Sequence, residues 1–114
     1  MTTIRLDFPP SQLNPNKRLH WAKVASYKRT YKALWCHQMR LDADNLKGKT
    51  EFTITFAPPD KRRRDVDNTI AACKSLVDAL SLRTGVDDSK FKIMWPRAFS
   101  EPLKGGGVFV EVVS

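Results

Sequence analysis

The chain has 114 residues, with 20 lysines and arginines against 12 acids, a net charge of +8 and a pI near 9.8. That length suits one compact domain with no separate substrate domain, and no apolar run approaches a membrane span. So positive a field nominates a polyphosphate or an acidic surface as partner, nucleic acid above all, without naming a reaction. A monomer this small buries only about two thirds of its unfolded surface, so a core shared between copies is a natural source of stability.

Ile4, Leu6 and Phe8 alternate with Arg5 and Asp7, which predicts a strand with one buried face over residues 2–8, stopped by Pro9-Pro10. Residues 11–18 are rich in proline, asparagine and lysine, and Asn14-Pro15-Asn16 favours a turn. They read as a basic loop that offers Lys17 and Arg18 to a ligand. Over residues 19–41, Trp21, Val24, Tyr31, Leu34, Trp35 and Met39 recur at helical spacing between Lys23, Lys28, Arg29, Lys32 and Arg40, a long basic amphipathic helix.

Phe52, Ile54 and Phe56 then alternate with Thr53 and Thr55, which predicts a strand over residues 50–57, ended by Pro58-Pro59. After the charged segment 60–67, Ile70, Cys73, Val77 and Leu80 mark one face of a second helix, with Asp67 or Asn68 near its N-cap and Gly85 as its stop. Phe91, Ile93 and Trp95 alternate with Lys92 and Met94, and a final strand over residues 108–113 follows Gly105-Gly106-Gly107. The order is β-α-β-α-β-β. It predicts a single α/β (α+β) domain over residues 1–114, a mixed sheet packed by two helices.

Cys36 and Cys73 lie within apolar helical patterns and lack the pairing of a zinc site or a disulfide framework, so both read as small buried hydrophobes. Residues 1–7 carry charge where a signal peptide needs an apolar core, which leads us to expect a protein of the reducing cytoplasm. Neither His20 nor His37 sits in a ligand or nucleophile motif, and both read as structural. Trp21, Trp35 and Trp95 fall on apolar faces, where packing outweighs base stacking as a role.

The chemistry concentrates where Lys61-Arg62-Arg63-Arg64 runs directly into Asp65-Val66-Asp67-Asn68. In an extended chain residues i and i+2 project from one side, so Asp65 and Asp67 would converge while Val66 points into the core. Hard divalent ions such as Mg²⁺ take oxygen ligands and keep several waters, so two or three aspartates plus a substrate phosphate suffice, with the neighbouring cations holding a DNA backbone. The competing reading is that the two acids balance the basic run and favour a helix N-terminus. Asp87-Asp88 supplies a third acid beyond the second helix, but a helix of about 12 residues is about 18 Å long, so the fold must bring the chain around for it to reach Asp65. Lys74 follows Asp67 by seven residues, about two turns and about 10 Å further along the same face, where a lone lysine is ordinarily a solvated charge.

Arg62-Arg63-Arg64-Asp65-Val66-Asp67-Asn68, then Asp78-Ala79-Leu80, then Gly85-Val86-Asp87-Asp88, resemble the RusA family of bacterial and phage Holliday junction resolvases, and Pro9-Pro10-Ser11 adds to the match. The resemblance extends over residues 4–112. It implies a compact homodimer whose acids bind Mg²⁺, with Mn²⁺ as a substitute, and cut opposing strands of four-way DNA junctions. Carried over by motif, Asp65, Asp67 and Asp88 would be metal ligands, with Asp87 the alternative to Asp88. Arg64 would contact DNA near the scissile phosphate, and Lys61, Arg62, Arg63, Lys17 and Arg18 would bind its backbone.

One departure concerns a lysine that the family places four residues after the second aspartate, where this chain has Ala71. Anchoring on Asp78-Ala79-Leu80 instead puts Lys74 in its place as a catalytic residue, with a three-residue insertion in the helix. Two other functions remain in view: a non-catalytic basic protein that binds branched DNA, in which Ala71 reflects lost catalysis, and a flap or fork nuclease.

Overall fold

Four segments of alternating apolar residues assemble into one sheet in the computed structural model, which describes residues 2–15 and 17–113. The strands are β1 (Thr2–Leu6), β2 (Glu51–Ala57), β3 (Lys92–Met94) and β4 (Gly107–Val112). Their spatial order is β1-β4-β2-β3, with β4 antiparallel to both β1 and β2, and β3 parallel to β2. The sheet is therefore mixed, as expected, and Met1, Asn16 and the last residue, Ser114, lie outside the described residues.

The register explains why one face is buried. Ile4, Val110 and Ile54 form one rung and Leu6, Val108 and Phe56 the next, all buried, whereas Arg5, Phe109 and Thr55 share a rung on the opposite face and none is fully buried. Period-two alternation places each apolar set on one side. The helices cover that side: α1 (Trp21–Gln38), α2 (Ala43–Leu46), α3 (Val66–Ala72) and α4 (Lys74–Thr84). Trp35 and Met39, with Leu46, Cys73, Leu76, Ala79 and Leu80, close the core against the strands. Burial pushes the Cys73 thiol up to about 12, so it stays protonated and packs as a hydrophobe.

Several boundaries differ from the sequence expectation, each for a local reason. β1 ends at Leu6 rather than at residue 8, because the Asp7 carbonyl accepts the Trp35 indole N–H (2.9 Å) and its N–H donates to Gln38 Oε1 (3.0 Å). The first helix begins at Trp21 behind an N-cap at His20, whose Nδ1 accepts from the Ala22 N–H, and it ends at Gln38. Trp21 is 76% exposed, which corrects its assignment to the apolar face: in the first turn it stacks on His20 and does not reach the core. The expected second helix is two helices, with Cys73 between them at φ −91°, ψ 12°. Its N-cap is Asp65, not Asp67 or Asn68. Gly85 ends α4 in the left-handed conformation that glycine adopts without steric cost.

Candidate functional site

β2 leaves the sheet at Pro58-Pro59, and two contacts hold the strand end. The Ser100 N–H and hydroxyl both donate to the Phe56 carbonyl (2.9 and 3.1 Å), and the Leu103 N–H donates to the Pro58 carbonyl (2.9 Å). Gly106 packs between Phe8 and Pro59, where a Cβ would lie 3.0 Å from Phe8 Cβ and 3.0 Å from Pro59 Cδ. Its φ of +69° independently favours glycine, so the approach of β1's exit loop to β2's exit loop depends on this residue.

The segment that follows is tied by Asp60 and Arg64. Arg64 Nη1 lies 2.8 Å from Asp60 Oδ1 and also donates to the carbonyls of Asp60 and Arg62, both at 3.2 Å. Asp60 Oδ1 accepts the Arg62 N–H as well. The Arg64 guanidinium stands 5.6 Å from the centroid of the Phe8 ring. These bonds, the Arg64 side-chain contact first, hold the Asp60 carboxyl below its ordinary 3.8. Arg64 is thus an internal tie with its side chain 21% exposed, while Arg62 beside it is 86% exposed and Lys61 and Arg63 are also exposed.

Asp65 is extended at φ −103°, ψ 124°, and its Oδ1 accepts the N–H groups of Asp67 (2.8 Å) and Asn68 (3.4 Å). The Thr69 hydroxyl donates to the Asp65 carbonyl. Asp67 is already helical. The extended i, i+2 geometry expected for the pair therefore does not occur: Asp65 caps α3 and Asp67 lies in its first turn, both of them exposed. Val66 between them is half-buried.

A cleft of about 840 Å³ opens beside this cap, between the Pro9–Pro10–Ser11 stretch and the wall made by Arg62, Arg63, Arg64, Asp65 and Asn68. Asn14 and Gly105 also line it, and the Lys17 N–H donates to the Asn14 carbonyl, so exposed Lys17 and Arg18 leave from its rim.

Asp88 and Lys74 are placed elsewhere. β3 runs parallel to β2 and the Lys92 N–H donates to the Thr50 carbonyl, so the 3-10 turn Asp88–Lys90 sits at the start of β2, whereas Asp65 follows its end. The seven residues of β2 span about 20 Å at about 3.3 Å per residue. Asp88 therefore stands by the end of β2 opposite the one that leads to Asp65. Among the described residues no group of three His, Cys, Asp or Glu side chains is close enough to hold a metal. Lys74 opens α4 beyond the Cys73 break, exposed, and the single continuous helix on which its alignment with Asp67 rested is interrupted.

Sequence reasoning gave no site role to Asp60, Phe8 and Gly106, and took Ser11 only as part of the family match. Asp60 and Arg64 have i, i+4 spacing outside any helix, a pattern with no periodic signal, and Phe8, Gly106 and Ser11 meet the others only through the sheet's strand order.

With this geometry in hand, residues 10–112 match the family model described as endodeoxyribonuclease RusA. The chain belongs to the RusA endodeoxyribonuclease family. The RusA match takes in Pro10 and Ser11, the arginine run, both aspartates and the Asp87-Asp88 turn, and leaves out residues 1–9, with β1, Phe8 and Pro9, and the last two residues. The chain is also similar to an uncharacterized protein of Xylella fastidiosa (strain Temecula1), 27% identical over 117 positions that cover 98% of this chain and 76% of that one. Among the described residues no helix is long and apolar enough to cross a membrane.

Proposed function

We propose that the chain is a metal-dependent endodeoxyribonuclease that resolves four-way DNA junctions by paired nicks, as a homodimer and with Mg²⁺ as its ion. The observation that carries this reading is the RusA match over residues 10–112 together with a polar cleft whose wall holds Asp65 and three arginines. Mg²⁺ is commonly held by one or two carboxylates plus substrate phosphate, so Asp65 and Asp67 suffice in number. When bound, the ion would polarise the scissile phosphate and acidify an attacking water.

The chain's own residues bind and orient. Lys61, Arg62 and Arg63, with Lys17 and Arg18 on the opposite rim, attract the DNA backbone, and Arg64 keeps the 60–65 segment in register so that Asp65 and Asp67 meet the strand. Lys74, exposed at the start of α4, is kept for the added negative charge on the phosphate on the strength of the family resemblance alone. Asp87 accepts the Ser89 N–H to cap its own turn, and of the doublet we assign the exposed Asp88 to the metal.

The separation of Asp88 from Asp65 gives the homodimer a chemical purpose. In a two-fold pair, Asp88 of one copy would complete the set begun by Asp65 and Asp67 of the other, and symmetry would repeat the arrangement at the second site. Each of the two cut strands then faces one complete set.

The deciding experiment is cleavage of a labelled four-way junction with and without Mg²⁺, beside flap and fork substrates, for the wild type and Asp67→Asn. Paired metal-dependent nicks absent from the variant are expected; flap or fork cutting in preference changes the substrate, and tight binding without cutting in Mg²⁺ or Mn²⁺ would leave a binding protein. Mixing Asp67→Asn with Asp88→Asn tests the shared site. A mixed dimer regains one intact site if Asp88 acts across the pair, and none if it acts within its own copy.

A further inference from the structure

The cleft has a chemistry that neither metal binding nor backbone attraction uses. Its floor and one wall are apolar and stiff: Phe8 is half-buried, packs on Phe56 and is roofed by Arg64, and Pro9 and Pro10 have fixed φ angles. Its other rim is cationic, with Arg62 and Arg63 exposed, and Ser11 and Asn68 add hydrogen-bonding groups. At about 840 Å³ it has the size of a small-molecule site. An apolar slot with a cationic lip complements a base joined to its phosphate.

We propose that this cleft receives one unpaired nucleotide of the DNA strand that passes Asp65, its phosphate against Arg62 and Arg63 and its base against the Phe8–Pro10 wall. The proposal rests on the nuclease reading for the identity of the polymer. A nucleotide inside a duplex has both ring faces stacked and its pairing edge occupied, so it cannot enter without leaving the helix, and leaving costs least where pairing is already broken. A branch point is such a place. The cleft therefore selects branched over linear DNA through the ease of unpairing, with no need for a base-specific contact. Arg64 contributes as a fixed plane, because its Nη1 is held by Asp60 and two carbonyls and its guanidinium lies over the Phe8 ring.

The test uses a four-way junction carrying 2-aminopurine, whose emission rises when it leaves the stack, with a fluorescein on a distal arm to report binding, in EDTA so that no cutting occurs. Wild type should raise the emission of a label next to the branch point and leave labels within the arms, and those of a linear duplex, unchanged. Ser11→Trp fills the cleft from its exposed rim, and Arg63→Ala removes a cation from its lip. Each should lower the rise per bound junction, with fold checked by circular dichroism. An equal rise with Ser11→Trp, or the same rise within the arms, overturns the proposal. Free deoxyribonucleoside monophosphate that displaces the labelled junction at concentrations comparable to the junction's own would also overturn it, since the site would then serve free nucleotides. Cleavage is read separately: wild type that shifts emission but never cuts in Mg²⁺ sinks the nuclease reading alone.

Discussion

Arg64 and Asp60 face each other across four residues, Nη1 to Oδ1 at 2.8 Å, and the same guanidinium lies over Phe8. The family resemblance casts Arg64 as a DNA ligand, yet its donors close a loop that presents Asp65. Lysine keeps the charge but not the planar fork. Arg64→Lys should therefore bind junctions about as well as wild type while cleaving more slowly, and Arg63→Lys should keep both properties. Titration of labelled junction followed by single-turnover cleavage separates the two; equal losses in both variants would make Arg64 an ordinary phosphate contact.

The pairing also fixes a pH dependence. Because the folded-state pKa of Asp60 is depressed, the stabilisation it contributes is fully present above the ordinary carboxyl value of 3.8 and is lost as pH falls through the lower folded value. Carboxyl-carbon NMR should find Asp60 titrating below 3.8 in the wild type and closer to 3.8 in Arg64→Gln.

Asp65 carries two roles that substitution can separate. Asparagine caps helices about as well as aspartate, whereas alanine costs about 1 kcal/mol. Asp65→Asn should match wild-type stability in urea, bind junctions at least as tightly, and fail to cut, while Asp65→Ala should be less stable as well. A fall in urea midpoint for Asp65→Asn equal to that of Asp65→Ala would reduce the residue to a cap.

Gly106→Ala tests the seat of the cleft. The substitution forces a positive φ on a Cβ residue and drives that Cβ to 3.0 Å from Phe8 and Pro59, so we expect a loss of at least about 1 kcal/mol by urea unfolding. Gly85→Ala, where a Cβ meets nothing within 4 Å, should cost less.

Salt reports how many phosphates the cationic rim touches. Junction affinity should fall log-linearly with salt at about 0.9 per phosphate contact, and Arg63→Ala or Lys61→Ala should each reduce that slope by about 1. A slope that does not change in either variant places the DNA elsewhere on the chain.

Much of this was legible in the amino-acid sequence because it follows from local rules. Two-residue alternation identified β2 and β4 to within a residue or so, since Phe52, Ile54, Phe56, Val108 and Val110 need one buried face and only strands supply it at that spacing. The order of elements and the single domain came from the same periodicities. The arginine run and the Asp65-Val66-Asp67 pattern marked the candidate site because charge and spacing are properties of the chain itself.

Tertiary structure decided what those residues do to one another. Cap choice depended on backbone angles that made Asp65, rather than Asp67, the residue that accepts the first N–H groups of α3. The parallel pairing of β3 with β2 set the Asp88 turn at the start of β2, whereas Asp65 follows its end, a placement that spacing along the chain left open because a loop's direction is set by strand order. Phe8 and Pro59, distant in the chain, both line the cleft and both pack against Gly106. Hydrophobic pattern acts over a few residues and is written in sequence; the meeting of distant segments is set by how the sheet is ordered and closed.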